Sequence, residues 1–403
     1  LGVYIVALGE GESTIVYIAK HFSEGYPINE IPNIAYCVEG NIKLNKRQNT
    51  DIACDNPLIE RKYLEKIIES KATINIYTSK GCSGNCIFCS ISKFYGKQKW
   101  KSRPKDVYLD ELEFCYKNGG RTIKFIDDSF IDGTRDIAWV KKFKKSIIER
   151  GMQKLRFRIS IKPEKVTNEI IENLKSAGLF AVSCGIENFS KNELIRMNKY
   201  DREVSIDEVL GIFKENDIYV QTGFILFNHQ TTMEDLECNL NSLKKHDNII
   251  IKGVFSEMYA AKGTPYFNLV KRTDLVTNEV FGNLKYKIMD KQVQKIYDLL
   301  RVRHLNFAET YDKLIDPISA PKSLEEHEYA SFMKLYKKVY KYEVNRFAEI
   351  IKVVKAFNDE KQICHVNQII ADDIIYFDEI RRQCEKLYIE YEIPHKASKN
   401  KFI

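Results

Sequence analysis

The chain has 403 residues, 44% of them hydrophobic, and 63 Lys and Arg against 56 Asp and Glu give a net charge of +7. That length carries two domains or one large barrel with additions, and the composition supports a proper core. The basic excess is slight and both signs are interspersed, as in KKFKKSIIER, which argues against a nucleic-acid footprint; no apolar run reaches membrane-spanning length. Ten cysteines are few for a disulfide scaffold and fit a reducing, cytoplasmic setting. No secretory signal is visible, and a chain that begins at Leu1 is expected to be a fragment of a longer protein.

Residues 1–72 read as a strand, LGVYIVALGEGES, running into a helix, TIVYIAKHF. A loop with Pro27 and Pro32 follows, then a hairpin, IAYCVEGNIKLN, turning at Glu39, Gly40 and Asn41; Asn56-Pro57 begins a linker. Residues 73–282 alternate β-rich runs with amphipathic stretches. The strand candidates are 73–79, 122–128, 155–161, 179–187, 218–227 and 249–259. Six strands alternating with helices predict βα units, a parallel sheet and, through right-handed crossovers, an α/β partial barrel. Ligands then belong at the carboxyl ends of the strands. Residues 283–403 lose the strand pattern and read as long helices, ending in a disordered basic tail, HKASKNKFI.

Cys82, Cys86 and Cys89 stand in the run TSKGCSGNCIFCS, directly after the first barrel strand. Three thiolates this close suit zinc or an iron–sulfur cluster, and both normally take four ligands. The next cysteines in sequence are Cys54 and Cys115, so a cluster held here keeps one iron open to a small molecule. Gly81, Gly84 and Asn85 suit a tight ligand loop. A zinc knuckle and scattered core thiols are the plainer readings.

The CxxxCxxC spacing, with Phe88 before the last cysteine, resembles the signature of the radical S-adenosylmethionine (radical SAM) enzymes. The blocks GEGES (9–13), SKGCSGNCIFCS (79–90), FIDDSF (125–130), CGIENFSKNELIRMNK (184–199), GFILFNHQTTMEDLECNL (223–240) and AAKGTPYFNLV (260–270) are similar to the subgroup with an N-terminal cobalamin-binding domain. The resemblance implies a six-unit partial (β/α) barrel of the radical SAM type, an N-terminal α/β remnant and a C-terminal helical extension. It also implies a [4Fe–4S] cluster on Cys82, Cys86 and Cys89 that chelates S-adenosylmethionine, with Phe88 on the adenine side. The product would be a 5′-deoxyadenosyl radical that attacks an unactivated carbon of a small molecule or peptide. A flavodoxin- or ferredoxin-type reductant is expected, with no membrane and no nucleic-acid partner. Only the tail of a cobalamin domain is recognisable. The Asp-x-His-x-x-Gly loop is missing and His21 is the only histidine in residues 1–72, so cobalamin and methylation are expectations for the full-length protein. FNHQTT departs from the Pro-Gly-Glu-Thr-like turn of many relatives, which points to an altered substrate shape. Methylthio transfer to tRNA is an alternative, but its extra upstream cysteine trio and C-terminal β-barrel pattern are not found. A non-catalytic zinc or iron–sulfur module is the alternative from another class.

The remaining candidates follow from strand ends. Asp127 and Asp128 close the second strand, where the family's amino-group motif lies, with a helix N-cap or turn as the competing reading; side chains alternate, so one of the two is expected to reach the cofactor. Gly185 and Glu187 close the fourth, for close backbone approach and for ribose hydroxyls. Arg158 and Lys199 are candidate carboxylate partners, and Arg158 is the one retained; a surface salt bridge is the default for both. His229 and Glu257, ending the fifth and sixth strands, are candidate acid–base groups, and Tyr259 a radical or hydrogen-bond donor. Cys184 reads as a core thiol, and Cys364 and Cys384 lack CxxC partners for an auxiliary cluster.

Overall fold

The computed structural model describes residues 4–48, 59–95, 100–319, 324–356 and 359–393. A six-stranded sheet runs through its centre: β1 (Ile74–Ile76), β2 (Thr122–Phe125), β3 (Arg156–Ile161), β4 (Leu179–Cys184), β5 (Tyr219–Thr222) and β6 (Ile249–Ile250), hydrogen-bonded in that order. Every neighbouring pair is parallel, so each connection must cross over. Helices α1 (Lys105–Lys117), α2 (Ile137–Glu149), α3 (Asn168–Ser176), α4 (Ile206–Glu215) and α5 (Met233–Lys245) make the crossings. This is the expected partial (β/α) barrel.

Local signals set these elements. Asp136, Thr167 and Ser205 cap α2, α3 and α4 by accepting from Trp139, Ile170 and Glu208 backbone N–H groups, and Thr232 with Asp235 forms a capping box on α5. Gly178 joins α3 to β4 at φ +112°, where a Cβ would strike the Leu155 carbonyl. Side chains then alternate. Ile123, Phe125, Phe157, Ile159, Val182 and Val220 are buried under the helices. The opposite, concave face carries Asn75, Lys124, Arg158, Ser160, Ser183 and Gln221, an unusually polar set for a parallel sheet.

The N-terminal segment forms its own antiparallel sheet of Ile5–Ala7, Ile34–Val38 and Asn41–Leu44, with the helix Glu12–Glu24 beside it. Its hairpin turns at Glu39 and Gly40, both at positive φ. The Asn56-Pro57 linker and the basic tail from His395 lie outside the described residues.

Two features differ from the sequence reading. The fifth and sixth strands are short, because the chain beyond Thr222 and Ile250 leaves the sheet to build the rim, meeting again only at a parallel Phe227–Glu257 bridge. In addition, Val276–Val280 and Asn283–Tyr286 form a hairpin that pairs with Ala260–Ala261. Val276–Val280 is almost wholly exposed, so no two-residue burial rhythm marks it in the sequence.

The long C-terminal helices α6 (Lys291–Ser319), α7 (Glu326–Ala356) and α8 (Asp359–Glu390) pack together around a buried charge network in which Arg303 meets Glu343 at 2.5 Å and also pairs with Asp373. Against the barrel, α7 closes the floor and the open edge. The Tyr329 ring packs tilted against Tyr219 at 4.6 Å and edge-on to Phe180 at 5.9 Å, at the amino ends of β5 and β4. The Tyr336 hydroxyl accepts from the Ile251 N–H at 2.8 Å, beside the edge strand β6. α6 meets the chain beyond β6 through Tyr297 and His304, whose rings lie 5.3 and 5.5 Å from that of Phe255. Among the described residues no helix is long and apolar enough to cross a membrane.

Candidate active site

The chain leaving β1 at the mouth is held by three acids from the loop after β2. The Asp127 carboxylate, 2% exposed, accepts from the Thr78 N–H at 2.7 Å, the Thr78 hydroxyl at 3.0 Å, the Ser79 hydroxyl at 2.9 Å and the Ser79 N–H. Asp128 accepts from the Gly81 N–H at 2.8 Å. Asp132 accepts from the Ser83 N–H at 3.1 Å and its hydroxyl at 2.7 Å. Arg135 lies beneath, donating to the Thr78 carbonyl at 2.7 Å and the Phe130 carbonyl at 2.8 Å. Asp127 therefore faces the turn, while the exposed Asp128 faces the rim.

The far side of the loop is zipped to two short helices. Ile87 donates to the Met197 carbonyl at 3.1 Å and accepts from the Tyr266 N–H at 2.9 Å, and Phe88 packs into the cluster of Met197, Met258 and Tyr266. Between these anchors Cys82, Cys86 and Cys89 are all half-buried free thiols. Burial pushes the Cys82 and Cys86 thiols above their usual range; Lys162 beside Cys82 and Lys199 beside Cys86 pull the other way. Among the described residues no three His, Cys, Asp or Glu side chains converge into a ready metal-binding group. The donor chemistry nonetheless fits an iron–sulfur cluster. Three soft ligands share one loop, Cys82 and Cys86, like Cys86 and Cys89, are close enough to feel each other's charge, and two ammonium groups offset the negative charge that thiolate ligation brings.

Lys162 follows β3, 2.8 Å from the Ser83 hydroxyl and 3.3 Å from Asp132. Burial opposes the Asp132 charge, yet the Ser83 and Gly133 donors and Lys162 hold its carboxyl below the ordinary range. Across the rim, Lys199 pairs with Glu187 at 3.2 Å. Burial works against the Lys199 ammonium, but Glu187 and then Cys86 raise it above its ordinary value. The pair fits only because Gly185 and Gly223 lack side chains: a Cβ would stand 2.8 Å from Lys199 Nζ at the first and 2.6 Å from Glu187 Oε2 at the second. A cleft of about 280 Å³ opens alongside, lined by Pro163, Glu164, Ile186, Phe189 and Tyr200.

Other sequence candidates are dispersed. Arg158 lies three residues before the end of β3, about 10 Å below the rim at about 3.3 Å per residue. His229 is 2% exposed, its Nδ1 3.1 Å from the Tyr266 hydroxyl; burial, then Arg196, lowers its pKa. Glu257 accepts from Tyr297 at 2.5 Å and pairs with Lys285 at 2.9 Å. Tyr259 is 63% exposed. The sequence reading missed Asp132 and Lys162: Lys162 directly follows a strand end, but Asp132 stands seven residues beyond one, where only its bonds to Ser83 mark it. It also passed over Lys199 as a surface residue.

Residues 76–241 match the sequence profile of the Radical SAM superfamily. Among curated relatives, an uncharacterized methyltransferase of Pyrococcus horikoshii is 26% identical over 60% of this chain and 53% of its own length. Bacteriochlorophyllide d C-12(1)-methyltransferase of Chlorobaculum tepidum is 26% identical over 66% and 52%. A putative methylthiotransferase of Methanocaldococcus jannaschii is 28% identical over 56% and 49%, so the chain spans about half the length of these relatives. Among solved structures, the cobalamin-dependent S-adenosylmethionine radical enzyme OxsB superposes with a TM-score of 0.66 at 17% identity, covering 98% of this chain and 66% of that one. The radical S-adenosylmethionine methyltransferase TsrM from Kitasatospora setae gives 0.54 at 16%, covering 61% and 50%. At these identities the likeness is one of fold. The likeness to the Radical SAM superfamily thus lies in residues 76–241, which form a radical SAM catalytic domain.

Proposed function

We propose that Cys82, Cys86 and Cys89 hold a [4Fe–4S] cluster with one open iron, and that the protein modifies an unactivated carbon of a small molecule or peptide. The observation that carries this reading is the half-buried thiol loop standing at the carboxyl ends of a six-stranded parallel sheet, braced by Asp127, Asp128 and Asp132. Held there by Cys82, Cys86 and Cys89, such a cluster would supply the one-electron reduction of S-adenosylmethionine that radical chemistry at carbon requires.

The chain's own residues do the positioning. Asp127 and Asp132 fix the loop from below. Asp128, exposed at the rim, offers its free oxygen to the cofactor's ammonium. Glu187 and Lys199 present a carboxylate and an ammonium to its ribose hydroxyls and carboxylate, in the space that Gly185 and Gly223 leave, and Phe88 backs the loop. His229, hydrogen-bonded to Tyr266, and Glu257, bonded to Tyr297, are the acid–base groups nearest the ends of β5 and β6. In the whole protein we extend the reading to cobalamin-dependent methylation. The methyltransferase relatives and the OxsB fold support it, as does the GEGES turn, whose Glu10 and Glu12 pair with Lys80 two residues before Cys82. Methylthio transfer draws support from the methylthiotransferase relative, but the described C-terminal residues form three helices and no β-barrel.

Anaerobic reconstitution should give about four irons and four sulfides per chain. Reduction with S-adenosylmethionine present should release 5′-deoxyadenosine, and Cys86→Ala should release none. One zinc and no iron would sink the proposal.

A further inference from the structure

The concave face of the sheet is built in rungs. Asn75, Lys124, Arg158, Ala181 and Tyr219 are aligned by strand register on one rung; Ser160, Ser183, Gln221 and Ile250 stand on the next one up. Lys124, Ser160, Ser183 and Gln221 are partly exposed, so this face remains open while the opposite one is packed under helices. The Tyr219–Tyr329 ring pair closes the lumen below.

Two cations occupy the lower of these two rungs without an anion among the described residues. Arg158 is 3% exposed and its Nη2 donates to Ser183 and Gln221, both neutral, which fixes the guanidinium in place. Its Nε–H is buried and has no hydrogen-bond partner. Lys124 is its neighbour across the β2–β3 ladder. No carboxylate pairs with either among the described residues. Burial without a counter-charge lowers Arg158 to about 10, and burial followed by Arg158 and Lys252 lowers Lys124. A buried, unpaired arginine is costly, and cost of this kind recurs where a ligand later supplies the missing charge. The S-adenosylmethionine carboxylate is a poor candidate for Arg158, which lies three residues, about 10 Å by strand rise, below the end of β3, where Lys162 meets the thiol loop at Ser83.

We propose that the floor of the barrel lumen binds an acid group of the substrate, a carboxylate or a phosphate, with Arg158 as its chief partner and Lys124 as the second. This rests on the radical SAM reading above and places the substrate in the lumen under the thiol loop. It narrows that substrate to an anion long enough to span from the floor to the rim.

The test uses the full chain without a cluster, in low-chloride buffer, with succinate, inorganic phosphate and neutral succinamide as probes. Succinate or phosphate should raise the melting temperature where succinamide does not, and the preferred anion identifies the acid group. Arg158→Gln and Lys124→Met should each weaken that binding about tenfold, the worth of one charge-assisted hydrogen bond. Lys124→Met, at a partly exposed position, keeps the test open should Arg158→Gln fold poorly. Equal stabilisation of wild type and both variants, or none by either anion, overturns the site. Iron content and 5′-deoxyadenosine are scored separately on the same proteins. Normal iron with no anion effect overturns the lumen site alone, whereas an Arg158-dependent anion effect without iron supports it and sinks the radical reading.

Discussion

Lys199 Nζ lies 3.2 Å from Glu187 Oε1 in a niche that exists because two other residues have no side chain. The two side chains are 15% and 12% exposed, so each is the main compensation for the other's charge. Removing one partner should cost stability near the lower end of the about 3–5 kcal/mol typical of a broken buried pair, since the rim admits some water. Glu187→Gln and Lys199→Met should each show this in urea denaturation, and the double variant should lose less than their sum. Gly223→Ala would press a methyl against Glu187 and should cost about 1–3 kcal/mol by overpacking. Additive single losses, or a silent Gly223→Ala, would contradict this account.

Asp127 should behave as a brace for the thiol loop. All its hydrogen bonds run to Thr78 and Ser79, four and three residues before Cys82. Asp127→Asn sets an amide NH2 against N–H and O–H donors, and each buried group left unsatisfied costs about 1–3 kcal/mol. Stability and iron uptake should fall together. Asp128→Asn, which gives up only charge at its single bond to Gly81, should keep its stability while binding S-adenosylmethionine less tightly. If Asp127→Asn retained full stability and lost only cofactor affinity, the bracing role would be wrong.

The barrel was legible because six β-rich runs alternate with capped amphipathic helices, a pattern that leaves few topologies open. The thiol loop was legible because its ligands are local in sequence. What stayed hidden depends on three-dimensional register. Lys124 and Arg158 are far apart in sequence and share a rung only once β2 and β3 pair. Lys199 resembles any helix-end lysine until Gly185 and Gly223 are brought around it. The place of the helical extension, at the floor and open edge, is set by Tyr329 and Tyr336, two among 23 tyrosines that nothing in the sequence singles out.

Glu193 gives a pH dependence of definite sign. Its carboxylate is fully buried, accepting from Thr231 at 2.8 Å and from Arg196 at 2.9 Å, and Asn228 donates to its other oxygen. Burial pushes this carboxyl up to about 7, against 4.5 for an ordinary glutamate. The folded chain keeps a proton that the unfolded chain releases. Stability from this group is therefore complete below 4.5 and declines as pH rises to about 7, where the loss levels off. The slope in that window should approach about 1.4 kcal/mol per pH unit at most. Urea midpoints across it should fall more steeply for wild type than for Glu193→Gln; parallel curves would remove Glu193 from the explanation.

Tyr336 ties the helical extension to the barrel by one hydroxyl. It accepts from the Ile251 N–H at 2.8 Å and lies 3.2 Å from the Ile251 carbonyl and 3.3 Å from that of Ile249. Strand β6 has no strand beyond it, so without α7 this backbone would end the sheet as an open edge. Tyr336→Phe keeps the ring and leaves the Ile251 N–H, at a residue 3% exposed, without an acceptor. The cost should be about 1–3 kcal/mol, and the Ile251 amide should exchange with deuterium faster while the amides of β3 do not. Tyr340→Phe makes an internal comparison. Its hydroxyl only donates, to the Leu243 and His246 carbonyls at the end of α5, and a carbonyl that loses one donor is penalised less than a buried N–H that loses its only acceptor. Tyr340→Phe should therefore cost less, within about 0.5–1.5 kcal/mol. If the order were reversed, or if Ile251 exchange were unchanged in Tyr336→Phe, the edge would be sealed by packing of α7 alone and the hydroxyl would be incidental.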